Sequence, residues 1–93
     1  MSLAAQSVPR MPRGVRLHED RVRGGWVLLA PERAIALDQI GHAILSRIDG
    51  TRDFGAITRD LAESFGAPIE DVARDSGEFI EALAERRILE VGP

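Results

Sequence analysis

The sequence has 93 residues, which is the size of a single small domain, and its formal net charge is −3. It contains no cysteine, which excludes disulfides, thiolate metal sites and a cysteine nucleophile. No apolar run reaches the roughly 18 residues that a transmembrane helix needs, and the first residues lack the apolar core of a signal peptide. We therefore expect a cytoplasmic domain with no membrane partner.

The N-terminal segment shows no periodicity. Residues 1–13 contain Pro9 and Pro12, neither of which can donate a backbone hydrogen bond. We expect this segment to be a flexible tail or the remnant of a linker. One folded domain over residues 14–91 should follow it.

The first two predicted strands form a hairpin. Apolar and polar residues alternate over Val15–His18, and the alternation resumes over Arg21–Arg23. Gly24-Gly25 can supply the positive φ angles of a tight turn. The stretch Trp26–Leu29 is apolar on both faces, which predicts a central strand that is covered on at least one side.

A third strand should run back along this apolar stretch. Pro31 suits the second position of a type I turn, and Ala34–Leu37 follows it. The pattern predicts a three-stranded antiparallel meander with the third strand at an edge. The small side chains of Ala34 and Ala36 share one face of that strand, where they either leave room for another chain or pack tightly against the domain.

The second half of the chain changes to helical periodicity. A first helix should begin at the N-cap residue Asp38 and end before Gly50. Asp53 can cap a second helix that Gly66 ends, and Pro68 lies near the start of a third. The apolar stripes that we expect to face the core are Ile40, Ile44, Leu45 and Ile48, then Phe54, Ile57, Leu61 and Phe65, then Ile69, Val72, Ser76, Phe79, Ile80 and Leu83.

Three strands followed by three helices predict an α+β fold. The second helix, the short connection and the third helix are typical of a helix-turn-helix, so the whole is winged helix-turn-helix-like. Ile88, Leu89 and Val91 should pack back on the core.

Residues for catalysis or metal binding are scarce. His18 and His42 are the only histidines, and their spacing is not that of metal ligands. Asp38 and His42 lie four residues apart, where they can pair on a helix face, but no nucleophile accompanies them. We therefore predict no catalytic residue, no metal, no cofactor and no enzymatic activity.

Two binding functions remain, and the first is that of a small winged-helix DNA-binding regulator. A recognition helix enters a groove lined by phosphates and normally carries basic or amide side chains. The third predicted helix instead carries Asp71, Asp75, Glu78 and Glu85 along one flank. This charge disfavours nucleic acid as the partner.

The second is peptide binding at the sheet edge. An edge strand exposes unpaired N–H and C=O groups to which another chain can add as a further strand. A groove between this edge and the third helix would have an apolar floor that includes Ile35, Val72 and Phe79, and an acidic rim that includes Asp75. These residues are equally compatible with plain core, and Trp26 is expected to be a core anchor.

The chain resembles the PqqD family over about residues 8 to 91. The segments that carry the resemblance are Leu28-Leu29-x-Pro31-Glu32, Leu37, Ile44-Leu45, Asp49-Gly50-Thr51, Ile57, Leu61, Val72 and Phe79–Leu83. It is also similar to the wider class of recognition elements for ribosomally made, modified peptides.

The resemblance implies a peptide chaperone of pyrroloquinoline quinone (PQQ) biosynthesis. Such a protein binds the precursor peptide PqqA by strand addition and presents it to the radical S-adenosylmethionine enzyme PqqE, which holds the cofactors. The residues that the resemblance assigns to peptide binding are Arg33, Ala34, Ile35, Ala36 and Leu37 on the third strand and Val72, Asp75, Ser76 and Phe79 on the third helix.

Overall fold

The computed structural model describes residues 3–93. The strands in this part are β1 (Val8–Arg10), β2 (Arg16–Glu19), β3 (Trp26–Ala30), β4 (Arg33–Leu37) and β5 (Glu90–Gly92). The helices are α1 (Gln39–Leu45), α2 (Phe54–Phe65) and α3 (Ile69–Glu85). None of these helices is long and apolar enough to cross a membrane. The predicted α+β fold, with a meander followed by three helices, is confirmed.

The main sheet has the strand order β2-β3-β4, and both pairs are antiparallel. Strand β2 ends at Glu19, so the prediction that it resumes over Arg21–Arg23 is wrong. The reason is the Asp20 carboxylate, whose Oδ1 accepts hydrogen bonds of 3.1 Å from the backbone N–H groups of Val22 and Arg23 and turns the chain. Val22 is consequently 96% exposed at the tip of the hairpin.

The turn between β3 and β4 includes the predicted Pro31 but is of a different type. Pro31 and Glu32 form a two-residue loop between the paired residues Ala30 and Arg33. Glu32 has a φ of 60°, which belongs to the third position of a type II turn. The predicted type I turn is therefore wrong, although Pro31 occupies the second position in both types.

Short side chains and one glycine set the helix ends, as predicted. The carboxylate of Asp38 accepts a hydrogen bond of 2.7 Å from Gly41 N, and that of Asp53 accepts one of 2.9 Å from Ala56 N. Gly66 ends α2 with a φ of 60°. Helix α1 stops at Leu45, earlier than predicted, because its last backbone bonds tighten to i→i−3 contacts that lead through Ile48.

The N-terminal segment is part of the fold, contrary to the flexible tail expected from the sequence. Strand β1 pairs antiparallel with β5, and Pro9 is among the most deeply buried side chains. The carbonyl groups of Ser7 and Ala5 accept hydrogen bonds of 2.7 and 2.8 Å from Phe54 N and Gly55 N. These bonds satisfy donors that the first turn of α2 would otherwise leave unpaired.

The hydrophobic core lies between the inner face of the main sheet and the three helices. Leu17, Leu28 and Ile35 lie in register across the three strands, and their side chains form an inner row that faces the core. Ile88 and Leu89 are buried in the core as predicted, and Val91 packs beside them. This arrangement leaves the opposite face of the sheet without contact to the core.

Deletion of residues 1–10 should lower the free energy of unfolding by at least about 2 kcal/mol, because it removes the buried Pro9 and the partner of β5. Urea denaturation followed by circular dichroism measures this loss. The control is Arg10→Ala, which removes only a half-exposed ion pair of 3.2 Å with Glu90 and should cost less than about 1 kcal/mol. Equal small losses would contradict the assignment of this segment to the fold.

Candidate functional site

The hydrogen-bonding pattern of β3 determines which backbone groups of β4 are free. Asp20 N donates to Gly25 O at 2.9 Å, and this pair is in register with the β2–β3 ladder. In an antiparallel ladder, hydrogen-bonded and non-bonded pairs alternate. Val27 and Leu29 therefore bond to β2, and the intervening residues of β3 bond to β4.

The same alternation continues into β4. Arg33, Ile35 and Leu37 lie opposite the residues of β3 that bond to this side, so their backbone groups point into the sheet. The N–H and C=O groups of Ala34 and Ala36 point to the open edge. Both alanines are exposed, which excludes the alternative that they pack tightly against the domain.

A groove of about 390 Å³ opens at Asp38, one residue beyond the end of β4. It runs between α1, the C-terminal end of α2 and α3. Its walls are apolar except at the rim, and the lining residues are Asp38, Ile40, Gly41, Ile44, Leu61, Phe65, Ala67, Asp71, Val72, Asp75, Ser76 and Phe79. The edge of β4 and the groove, which begins at the next residue along the chain, together make up the candidate site.

Gly41 allows α1 to approach α3 closely at the floor of the groove. A Cβ atom at this position would lie 3.2 Å from Asp38 Oδ1, 3.4 Å from Phe79 Cζ and 3.5 Å from Leu37 Cδ2. Only the distance to Asp38 Oδ1 is shorter than an ordinary van der Waals contact, so a side chain at this position would press on the helix cap. Gly41 thus lies between the end of β4 and α3, within contact distance of both.

The rim of the groove is acidic. Asp38, Asp71 and Asp75 contribute three carboxylates, and Arg74 forms ion pairs with two of them on α3. Its guanidinium lies 3.3 Å from Asp75 and 3.2 Å from Asp71, and these two carboxylates raise the pKa of Arg74. Because Arg74 offsets only one of the three negative charges, the rim stays negative and favours a cationic ligand group.

The predicted site residues fall into two adjacent groups. Val72, Asp75, Ser76 and Phe79 come together in the groove, and the residues of β4 form the open edge beside it. Ile35 was expected on the groove floor, but it packs against the core instead, because its side chain points to the inner face of the sheet.

Two groove residues were wrongly assigned to the core from the sequence. Ile40 is 52% exposed and Phe65 is 45% exposed, and both line the groove. Their positions fit the helical periodicity of the core stripes, so periodicity alone cannot separate a core residue from one at the mouth of a groove. The short α1 and the position of Phe65 at the last turn of α2 explain their exposure.

Trp26 anchors α1 to the sheet. Its ring stacks on His42 with the centroids 4.3 Å apart and the planes inclined by 13°. His42 therefore contacts Trp26, whereas the Asp38 carboxylate with which it could have paired caps the helix. Within residues 3–93, no three His, Asp or Glu side chains are grouped to hold a metal ion.

The exposed surface of α3 retains the acidic character expected from the sequence. Asp71, Asp75, Glu78 and Glu85 are all exposed. A helix with this charge would be repelled by the phosphates of a DNA groove. The absence of a nucleic-acid partner stays a prediction.

Comparison with known proteins shows similarity along almost the whole chain. The sequence profile of the family described as "Coenzyme PQQ synthesis protein D (PqqD)" matches residues 25–89. A protein of Rhizobium meliloti (strain 1021) named "PqqA binding protein" is 51% identical over 89 residues, which cover 96% of this chain and 91% of that protein. A protein of the same name from Xanthomonas oryzae pv. oryzae (strain KACC10331 / KXO85) is 42% identical over 88 residues, which cover 95% of this chain and 96% of that protein.

Two solved structures are similar to the chain. The first is the solution NMR structure of the PqqD truncation of Methylobacterium extorquens PqqCD, described as a functional and stand-alone recognition element for ribosomally synthesized and post-translationally modified peptides. The two structures superpose with a TM-score of 0.81 at 38% sequence identity, and the match covers 96% of this chain and 95% of the PqqD truncation. The second is the crystal structure of PqqD from Xanthomonas campestris, with a TM-score of 0.60 at 38% sequence identity. This match covers 96% of our chain and 99% of the Xanthomonas chain.

Asp38→Ala should lower the free energy of unfolding by about 1 kcal/mol, because the first turn of α1 loses its cap. It should also change the emission of Trp26, the only tryptophan, because α1 carries His42. The matched control is Asp53→Ala, which removes the equivalent cap of α2 and should cost a similar free energy without changing the emission. A similar emission change in both variants would contradict the coupling of Asp38 to the stacked pair.

Proposed function

The chain belongs to the PqqD family, and we propose that it is a non-catalytic adaptor that binds the precursor peptide PqqA at the edge of β4 and in the adjoining groove. The relatives named as PqqA binding proteins support the ligand. The observation that best supports a peptide position beside β4 is that the backbone groups of Ala34 and Ala36 point outward from an exposed edge strand, next to an apolar groove.

Strand addition uses the free groups of this edge. A peptide that lies beside β4 can exchange two hydrogen bonds with each of Ala34 and Ala36, which provides affinity without dependence on the peptide sequence. The methyl side chains of the two alanines leave the approach open. Specificity then comes from the side chains that the peptide directs into the groove.

The groove indicates what kind of side chain it takes. In an added strand every second side chain points to the inner face of the sheet, toward the end of β4 and the groove that begins at Asp38. Ile40, Phe65 and Val72 offer apolar contacts, and the carboxylates of the rim favour an arginine or lysine nearby. An apolar anchor next to a cationic residue therefore fits this site best.

Presentation to a modifying enzyme completes the proposal. A peptide held along one edge keeps its other backbone edge and half of its side chains accessible to a second protein. We assign PqqE, the radical S-adenosylmethionine enzyme, as that second protein.

Ala36→Pro should weaken binding of PqqA about tenfold, because it removes one outward donor and leaves an acceptor of the peptide unpaired. The internal ladder stays intact, since proline is tolerated at an edge position whose N–H faces away from the neighbouring strand. Isothermal titration calorimetry measures the affinity, and circular dichroism verifies the fold.

The control places the same change at the other edge of the sheet. Glu19 lies opposite Trp26 at a position of β2 whose N–H also points away from β3. Glu19→Pro should therefore leave PqqA affinity unchanged. Equal affinities for both proline variants and the wild type would overturn the placement of the peptide on β4.

Asp75→Lys should weaken PqqA binding about fivefold, because it reverses one charge of the acidic rim. Glu63→Lys is the matched control, since Glu63 is exposed on α2 outside the groove. Asp60 is unsuitable as a control because its carboxylate lies 3.1 Å from Arg47 and 3.2 Å from Arg52 in an ion-pair network. Equal effects of the Asp75 and Glu63 reversals in calorimetry would show that the rim acts only as general surface charge.

A further inference from the structure

The outer face of the main sheet has a composition unlike that of an ordinary solvated face. Opposite the inner row, two rows of side chains cross the three strands in register and point away from the core. We call these residues the outer face, and they are Arg16, Leu29 and Ala34 in one row and His18, Val27 and Ala36 in the other.

The centre of the outer face is apolar. Antiparallel sheets with one face in water usually alternate apolar residues inward and polar residues outward. Strand β3 does not alternate apolar and polar residues, because the outward positions hold Val27 and Leu29 and the inward positions hold Trp26, Leu28 and Ala30. An apolar strand of this kind is typical of a sheet that is covered on both faces, and the domain itself covers only the inner one.

The border of the outer face is basic. Arg16 and His18 flank the apolar centre on β2, and the hairpin tip adds Arg21 and Arg23 around the exposed Val22. Neither Arg16 nor Arg23 has an ion-pair partner in the described part of the chain. Arg21 has one loose contact of 3.8 Å with the exposed Glu19.

Two carboxylates near the hairpin tip partly offset this charge, because Asp20 stays negative while it accepts hydrogen bonds within its own turn and Glu19 lies 3.8 Å from Arg21. The three arginines of the border still outnumber these two acids, and Glu32 lies at the opposite end of the sheet, in the β3–β4 loop. None of the six residues of the outer face is acidic. The surface therefore has the opposite charge to the groove rim beside α3.

We propose that the outer face and the hairpin tip form a second interaction surface, which docks a folded protein whose surface presents carboxylates around an aliphatic centre. Charge complementarity selects an acidic partner, and the half-buried Val27 and Leu29 provide the apolar contact. This surface is distinct from the peptide groove, which lies on the inner side of the sheet edge.

The outer face lies beside the proposed peptide site, and the identity of its partner rests on that proposed function. A peptide added beside β4 extends the sheet to four strands, and every second side chain of the peptide then joins the outer face. A protein seated there contacts Ala34, Ala36 and the peptide together. We therefore assign the enzyme that modifies the peptide to this face.

A composite surface has a thermodynamic consequence. The enzyme contacts more surface on the peptide complex than on the adaptor alone, so it binds the complex more tightly. By linkage, the enzyme raises the affinity of the adaptor for the peptide by the same factor.

The test measures PqqE binding to the adaptor in the presence of saturating PqqA, by surface plasmon resonance at two salt concentrations. The variant Arg16→Glu/Arg23→Glu should bind PqqE about tenfold more weakly and with less salt dependence than the wild type. Arg86→Glu, also exposed but located beyond the end of α3, should have little effect. PqqA affinity, measured separately by calorimetry, should be unchanged in both.

The outcomes separate this inference from the proposed function. If the double variant binds PqqE as the wild type does while both bind PqqA, the outer face is not the docking surface and the peptide site stands. If the double variant loses PqqA affinity, the arginines belong to the peptide site and the inference is overturned. If the wild type binds PqqA but never PqqE, presentation and docking both fail, and peptide binding remains.

Discussion

The hydrogen bonds that β3 makes to both of its neighbours are the constraint on which the rest of the site depends. Because the bonded pairs alternate, the contact between Asp20 and Gly25 fixes the direction of the backbone groups on β3 and therefore on β4. Ala34 and Ala36 are therefore left with donors and acceptors that point outward from the sheet.

The fold and the candidate site are joined at Asp38. Its carboxylate caps α1 through Gly41 N and also forms part of the acidic rim. Gly41 in turn lies between the end of β4 and Phe79 of α3. A ligand that displaces or pairs with Asp38 would therefore act on the first turn of α1 and, through His42, on the ring of Trp26. We expect binding at the groove to be coupled to the position of this helix.

Local signals in the sequence were sufficient for much of this structure. The caps at Asp38 and Asp53 and the left-handed Gly66 depend on residues within four positions, and all three are where the sequence predicts them. The pairing of β1 with β5 joins segments about 80 residues apart, and nothing near Pro9 indicates it. Likewise, periodicity predicts that Ile40 and Phe65 face inward, but tertiary packing decides whether a groove opens there.

The distribution of uncovered apolar residues is best explained by binding. A domain of this size buries roughly two thirds of the surface of its unfolded chain, so each apolar side chain left outside the core is a loss of stability. This chain leaves the half-buried Val27 and Leu29 on one side of the edge strand and the exposed Ile40 and Phe65 on the other. A peptide strand along β4 would lie between the two regions and border both. Ligands that cover them stabilise the folded state by mass action, which offsets the loss only while the complex exists.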